Sequence, residues 1–301
     1  HYDDLLVVHI SEFFILYWIS LSAKIKICFR VYLMKIKKAL VTGGTSGIGL
    51  AICEQLLAGG SEVYSVSRNP HKCEMRANFH PLQLDLADLS AVSEFGKNFI
   101  NEHGIPDLLI NNAGYGVFYD WISFPRNEIE KQINVLFSSP VLLCKSFAPK
   151  MAERGGVIIN ISSLAVLYPL PFMPLYNAGK SALSAFTQSM ILEANNKLRW
   201  IDFRLGDIST GFNQSAPKQE LKDQNRSMRN AWNQIEKQLD ESPDAVFAAS
   251  QIIRTVDRGS AGTVYGGGFF QARISPLLRI FLGNRVLDWI LRLRYGMYKF
   301  F

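Results

Sequence analysis

Seven short apolar runs, KALVT, EVYSVS, HPLQLDL, PDLLINNAG, GVIINISS, LRWIDFRLG and GTVYGG, succeed one another between residues 38 and 267. In the longer stretches between them apolar residues recur at helical spacing, as in Ile48, Ile52 and Leu56, or Val92, Phe95 and Phe99. A strand that returns to its sheet through a helix must run parallel to its neighbour, and a parallel sheet is covered by helices on both faces. The alternation therefore predicts an α/β architecture, a doubly wound parallel sheet in a single domain over residues 34–268. No repeat or low-complexity linker interrupts residues 35–268, and 301 residues at 48% hydrophobic and 19% charged are enough for one substantial core.

The first strand-to-helix junction, TGGTSGIG, spaces Gly43, Gly47 and Gly49 unevenly. A strand ending at Thr42 and a helix starting near Ser46 would aim unpaired N–H groups and a positive helix end at a phosphate. Gly43 would allow the tight turn, Gly47 a close approach of backbone to pyrophosphate, and Gly49 close packing of helix on strand. The spacing is Gly-x-x-x-Gly-x-Gly rather than Gly-x-Gly-x-x-Gly, so a bland glycine-rich loop is the alternative.

Cys28, Cys53, Cys73 and Cys144 form no CxxC pair and no metal-ligand spacing, which predicts reduced thiols on the cytoplasmic side and no metal site. Charge is uneven. Residues 1–38 carry six Lys/Arg against three acids and residues 271–301 six against one, which leaves the middle near −2. Basic ends around a neutral core argue against a nucleic-acid groove and for contact between the ends and something anionic, such as a membrane surface.

Three further motifs follow the glycine loop in order: NNAG at 111–114, NISS at 160–163 and YNAGK at 176–180. With TGGTSGIG they resemble the short-chain dehydrogenase/reductase family over residues 36–268. The resemblance implies a Rossmann-type domain that binds NAD(H) or NADP(H), with Ser163, Tyr176, Lys180 and Asn134 as the catalytic group. It also implies cofactor contacts from Gly43, Thr45, Ser46, Gly47, Ile48 and Gly49, from Asp85 and Leu86, from Asn112, Ala113 and Gly114, from Tyr176 and Lys180, and from Gly206, Ile208 and Thr210. Where family members usually show Pro-Gly after the sixth strand, this chain has Leu205-Gly206, which leaves that turn less rigid.

The chemistry fits those residue types. A ketone that accepts hydride develops alkoxide character and needs a proton donor within reach. A phenol is a poor acid–base group at neutral pH unless a nearby cation favours its ionised form, and Tyr176 and Lys180, four apart on a helix, share a face. Ser163 would polarise the substrate oxygen as a donor, with Ser162 as its structural neighbour. Asn134 would hold a water beside the lysine, as the family's helix asparagine does. At the end of the second strand Ser67 and Arg68 stand where an NAD enzyme usually places an acid, and a guanidinium there would grip a 2′-phosphate, so NADP(H) is preferred and NAD(H) is the alternative.

The segment LAVLYPLPFMPL between Ser163 and Tyr176 is apolar and proline-stiffened, which favours a small lipophilic carbonyl or alcohol, a 3-oxo lipid or a steroid-like molecule, over a sugar. Residues 211–241 resemble the family's mobile substrate-covering region. The reading is an enzyme interconverting a ketone and a secondary alcohol. An NAD-linked alcohol dehydrogenase and a non-catalytic dinucleotide sensor or scaffold are the alternatives.

Both ends extend the minimal domain. Over residues 269–301, helical spacing puts Val286, Trp289, Ile290, Leu293 and Met297 on one side and Arg285, Asp288, Arg292 and Lys299 on the other. This predicts a basic amphipathic helix that lies on a membrane surface, packs on its own domain or packs on a second copy in a homo-oligomer. Residues 1–33 hold the apolar FFILYWISLSA followed by Lys24, Lys26 and Arg30, a marginal membrane anchor or an over-extended frame before Met34. The expected location is cytoplasmic, with peripheral membrane contact an open alternative.

Overall fold

The computed structural model describes residues 36–72, 76–194, 197–211 and 217–297. The expectations for residues 1–33, Met34, Cys28, Cys73 and Lys299 lie outside the described residues, as does the part of the expected covering region at 212–216.

The seven apolar runs become seven strands: β1 (Lys38–Thr42), β2 (Glu62–Ser67), β3 (Phe79–Gln83), β4 (Leu108–Asn111), β5 (Gly156–Ser163), β6 (Leu198–Leu205) and β7 (Gly262–Gly266). They form one sheet in the order β3-β2-β1-β4-β5-β6-β7, every neighbouring pair parallel. The helices that return the chain are α1 (Gly47–Ala58), α2 (Leu89–His103), α3 (Arg126–Ile133), α4 (Ser139–Arg154), α5 (Pro174–Glu193), α6 (Arg226–Asp240) and α7 (Ala245–Asp257). A π-helical turn, Asn134–Ser138, joins α3 to α4. The chain works outward from β1 to β3 and then crosses back to β4, so the connections after β1 and β4 diverge and leave a crevice at their carboxyl ends.

Alternation along β1 shows why both faces are covered. Ala39 and Val41 face a buried cluster with Ile52 and Leu56 of α1 and Ala248 and Ile252 of α7. Leu40 faces the opposite cluster, with Val92 and Phe99 of α2 and Leu143 and Phe147 of α4. Phe99 and Phe147 meet edge to face with ring centroids 5.5 Å apart. Burying each such ring stabilises the fold by roughly 1.5–3 kcal/mol. Asp88 starts α2 by accepting the amides of Ser90 and Ala91, and Asp244 starts α7 by accepting that of Phe247.

A third cluster sits beyond the carboxyl end of the sheet and frames the site. Phe118, Met173, Met228, Ala231, Trp232, Ile235 and Tyr295 are buried together, with Leu170, Tyr176, Leu239 and Leu291 packed against them. Its last members come from the C-terminal segment, which forms α8 (Ser275–Phe281) and α9 (Asn284–Arg294) after a second π turn. The expected amphipathic helix is present, but its packed face is different. Leu287 and Tyr295 are buried and Leu291 packs with them, whereas Val286, Trp289 and Leu293 are each at least half exposed. Positions 287, 291 and 295 repeat every four residues, which lines them up along one side of the helix. Asn230 of α6 also donates to the carbonyl of Gly296 at 3.0 Å. Residues 269–297 are therefore partly built into the domain.

Candidate active site

The turn between β1 and α1 has the shape its glycines require. Gly43 (φ +71°) and Gly47 (φ +50°) occupy the left-handed region. A Cβ on Gly49 would lie 2.1 Å from the Gly43 carbonyl oxygen, so α1 starts hard against the turn. Ser46 precedes α1 in an extended conformation with no side-chain cap, and the first turn holds no acid, so the amides and positive end of the helix are left for an anion. Thr42 ties this turn to β4: its Oγ1 accepts from the amides of Asn112 and Ala113 (2.9 and 3.0 Å), and its carbonyl accepts from Asn112 Nδ2 (2.9 Å).

The turn opens into a cavity of about 830 Å³. Every residue expected to contact the cofactor borders it: Gly43, Thr45, Ser46, Gly47, Ile48, Gly49, Ser67, Arg68, Asp85, Leu86, Asn112, Ala113, Gly114, Tyr176, Lys180, Gly206, Ile208 and Thr210. A nicotinamide dinucleotide fits this lining on a structural ground as well. Ser67 Oγ is buried without a hydrogen-bond partner, and a ribose or phosphate oxygen would satisfy it. Among the described residues no cluster of His, Cys, Asp and Glu could hold a metal.

Midway along the cavity, β5 ends at Ser163 and α5 brings Tyr176 and Lys180 to the same wall, one turn apart. Ser163 hydrogen-bonds the Tyr176 hydroxyl and also accepts from the amide of Ala165 at 3.0 Å. Burial pushes the Tyr176 phenol up, with the Ser163 hydrogen bond pulling it back and the charge of Asp207 adding to the rise. Lys180 is buried and donates from Nζ to the Ile161 carbonyl at 2.6 Å. Burial pulls its ammonium down to about 8, against the upward pull of Asp202. Desolvation is the largest influence on the Tyr176 phenol, and the Lys180 ammonium donates to a carbonyl.

Asn134 opens the π turn, and its side-chain amide donates to the Ala87 carbonyl at 3.0 Å. It fixes the loop that carries Asp85 and Leu86, and it is absent from the cavity wall. Ser162 also borders the cavity, but its hydroxyl donates to the buried Asp202.

Sequence reasoning missed the support behind Lys180. Asp202, fully buried in β6, accepts from Ser184 Oγ (2.7 Å) and pairs with Arg204 Nε (2.9 Å). An acid and a base two apart, Asp202 and Arg204, inside the largely apolar run LRWIDFRL were the available signal. Asp207 was also missed. It lines the cavity beside the Leu205-Gly206 turn, which is braced by Gln271 instead of proline.

Beyond Ser163 and Tyr176 the lining includes a group of apolar side chains. Leu170 and Met173 come from the segment expected to face substrate, Ile235 and Leu239 from α6, and Pro217 from the loop before it. These α6 residues lie in the region expected to cover the substrate.

Residues 37–221 match the family described as short chain dehydrogenase. The chain is 27% identical over 271 residues to a 3-ketodihydrosphingosine reductase of Bacteroides thetaiotaomicron, covering 86% of this chain and 97% of that protein. It is 35% identical over 188 residues to human 15-hydroxyprostaglandin dehydrogenase [NAD(+)], covering 58% and 68%. In fold it is similar to a short-chain dehydrogenase from Streptomyces avermitilis (TM-score 0.73, 22% identity, 86% of this chain and 97% of that one). A Burkholderia cenocepacia short chain dehydrogenase in complex with NADP is also similar in fold (TM-score 0.66, 22% identity, 87% and 99%). The glycine turn, the Ser–Tyr–Lys wall and these likenesses agree, and the chain belongs to the short-chain dehydrogenase/reductase family of oxidoreductases, which act on CH–OH and keto groups with a nicotinamide cofactor.

Proposed function

We propose that the protein is an NADP(H)-preferring reductase that interconverts a ketone and a secondary alcohol on a lipophilic substrate, a 3-oxo lipid or a steroid-like molecule. The observation that carries this reading is the single cavity: an anion-ready glycine turn at one end, Ser163 and Tyr176 in the middle, and an apolar lining of Leu170, Met173, Pro217, Ile235 and Leu239 at the other. The relative from Bacteroides thetaiotaomicron, whose name records reduction of a keto lipid, supports the same substrate class.

The nicotinamide supplies or accepts the hydride. The chain's own residues do the rest. Ser163 donates to the carbonyl oxygen and stabilises its developing charge, and the Tyr176 hydroxyl gives its proton to that oxygen as the alcohol forms. Lys180, held by Ile161 and backed by the buried Asp202–Arg204 pair, would keep a cation on the cavity wall that carries Tyr176. Asn134 is a positioning residue, acting through the Ala87 loop. Arg68 and Lys131 border the adenosine end of the cavity beside the unpartnered Ser67 hydroxyl, which favours the cofactor bearing a 2′-phosphate.

The C-terminal segment supports a peripheral contact with an anionic membrane. Phe269, Leu277, Ile280, Phe281, Val286, Trp289 and Leu293 are more than two-fifths exposed, amid Arg273, Arg279, Arg285 and Arg292, with Asp288 the one acid after residue 270. Pairing this surface with a second copy of itself about a twofold axis would set arginines against arginines, whereas an anionic bilayer would match them. No helix among the described residues is long and apolar enough to cross a membrane.

Purified protein incubated with NADPH or NADH and a panel of lipid, steroid-like and sugar ketones tests the enzymatic reading by nicotinamide absorbance. The expected result is NADPH consumption with the lipophilic ketones. Consumption only with sugars, or only with NADH, would replace the substrate or the cofactor assignment, and binding without turnover of any ketone would favour a dinucleotide sensor.

A further inference from the structure

The substrate end of the cavity holds one ionisable side chain that hydride transfer does not require. Asp207 follows the Leu205-Gly206 turn and shares the wall with Tyr176, Ile235 and Leu239. It is close enough to Tyr176 for its charge to act on the phenol. Two contacts with one residue fix its position: its amide donates to Gln271 Oε1 at 3.0 Å, and Gln271 Nε2 donates to Asp207 Oδ2 at 2.6 Å. Gln271 is itself wedged in place, since a Cβ on Gly206 would lie 2.3 Å from its Oε1. These contacts engage Oδ2 and the amide, and neither involves Oδ1.

The carboxylate forms no ion pair among the described residues. Among the described residues no Lys or Arg nitrogen comes within 4.0 Å of it, while Asp202, five residues earlier in β6, has its arginine at 2.9 Å. The charge of Arg294 on α9 acts on Asp207 from farther off and is outweighed by burial, which pushes the carboxyl up. An acid desolvated without a counter-ion is unfavourable unless something else supplies the charge. The same cavity is lined by Leu170, Met173, Ile235 and Leu239, with Gln238 beside the last, which offers a ligand apolar surface together with one acid near Tyr176.

We propose that Asp207 is a cation-recognising residue of the substrate pocket, which selects a carbonyl lipid carrying a protonated amine next to its carbonyl carbon. The carbonyl would face Ser163 and Tyr176, the ammonium would donate to Asp207, and the chain would run along the α6 side. This rests on the ketone-reducing reading and narrows its substrate class to α-amino ketones.

The test compares a long-chain α-amino ketone, its N-acetyl derivative and the plain ketone of equal length, with wild type and Asp207→Asn. Asn keeps an acceptor for Gln271 and removes only the charge. Wild type should prefer the amino ketone by about tenfold to a hundredfold in kcat/KM over both neutral analogues, the scale of one charge-assisted contact. Asp207→Asn should lose that preference, its kcat/KM on the amino ketone and on the plain ketone becoming equal within about twofold, as expected when a contact specific to one substrate is removed. Equal loss on all three substrates, no loss on any, or a shift confined to cofactor affinity would overturn the proposal. The wild-type comparison with the N-acetyl derivative stands on its own if the variant does not fold. If wild type reduces no ketone at all, the ketone-reducing reading fails separately. Binding of the corresponding amino alcohol and plain alcohol, followed by tryptophan fluorescence, then decides Asp207: a wild-type preference for the amine, lost in the variant, upholds it, and equal binding overturns it.

Discussion

At one end of the cavity the chain offers mostly backbone: the amides of the Gly43–Gly49 turn, the open end of α1, and the β4 end tied to Thr42. At the other it offers side chains gathered from separate segments, Leu170 and Met173 before and at the start of α5, Ile235 and Leu239 on α6, and Asp207 braced by Gln271 from beyond β7. The first end is local in sequence, so its geometry follows from glycine conformation and helix polarity. The second depends on how distant segments pack, so it can change its ligand without disturbing the sheet. Tyr176 stands where they meet, packed against the aromatic cluster and bordering the cofactor end.

Substitutions at four places probe that division. The largest effect is expected from Tyr176→Phe, which removes the proton donor but keeps the ring: turnover should fall about 10²–10⁴-fold with NADPH affinity nearly unchanged. Single-turnover rates alongside cofactor titration check this, and a comparable loss of cofactor binding would blur the division between the two ends.

Lys180→Met comes next, read through stability rather than rate. The lysine's folded pKa, about 8, lies below its unfolded value of 10.5. Between those limits the unfolded chain binds the extra proton, so wild-type stability should rise as pH increases through the window, by about 3 kcal/mol in all. Below pH 8 the charge is carried in both states and the penalty of burying it is fully present. Denaturant melts from pH 7.5 to 10.5 should show that added rise in wild type and its loss in Lys180→Met, and identical slopes would place the ammonium in water.

Arg68→Ala should weaken NADPH about tenfold to a hundredfold and leave NADH almost unaffected, the effect of one charge-assisted contact. Equal weakening of both cofactors would show that Arg68 does not read the phosphate. The smallest effect is expected on the outer surface. Replacing Arg279, Arg285 or Arg292 singly with Gln should reduce partitioning onto anionic vesicles by about fivefold each, near 1 kcal/mol per cation, and added salt should weaken the wild type as well. Vesicle co-sedimentation measures both, and partitioning indifferent to charge and salt would leave the exposed apolar stripe to another partner.

The division also explains what could be read from the sequence. The inner strands appeared as apolar runs because a parallel strand buried on both faces needs nearly every side chain apolar, as LLIN and GVIINISS show. The residues lining the cofactor end were legible because glycine at a left-handed turn leaves a trace that other residues cannot. The packed face of α9 was not legible. Its two apolar stripes, Leu287-Leu291-Tyr295 and Val286-Trp289-Leu293, are equally hydrophobic, and only the position of α6 decides which is covered. Asp207 and the Asp202–Arg204 pair escaped for a related reason, since an acid's neighbours in space decide whether it is paired or left for a ligand.

The most direct test of a cavity that holds the cofactor at one end and a lipid chain at the other is the chain-length dependence of NADPH-linked ketone reduction. Each methylene drawn from water into the Leu170–Leu239 end should gain about 0.8 kcal/mol, so kcat/KM should climb up to about fourfold per added carbon until the end is filled, then level off. A kcat/KM flat with chain length, or highest for a short polar ketone, would contradict it.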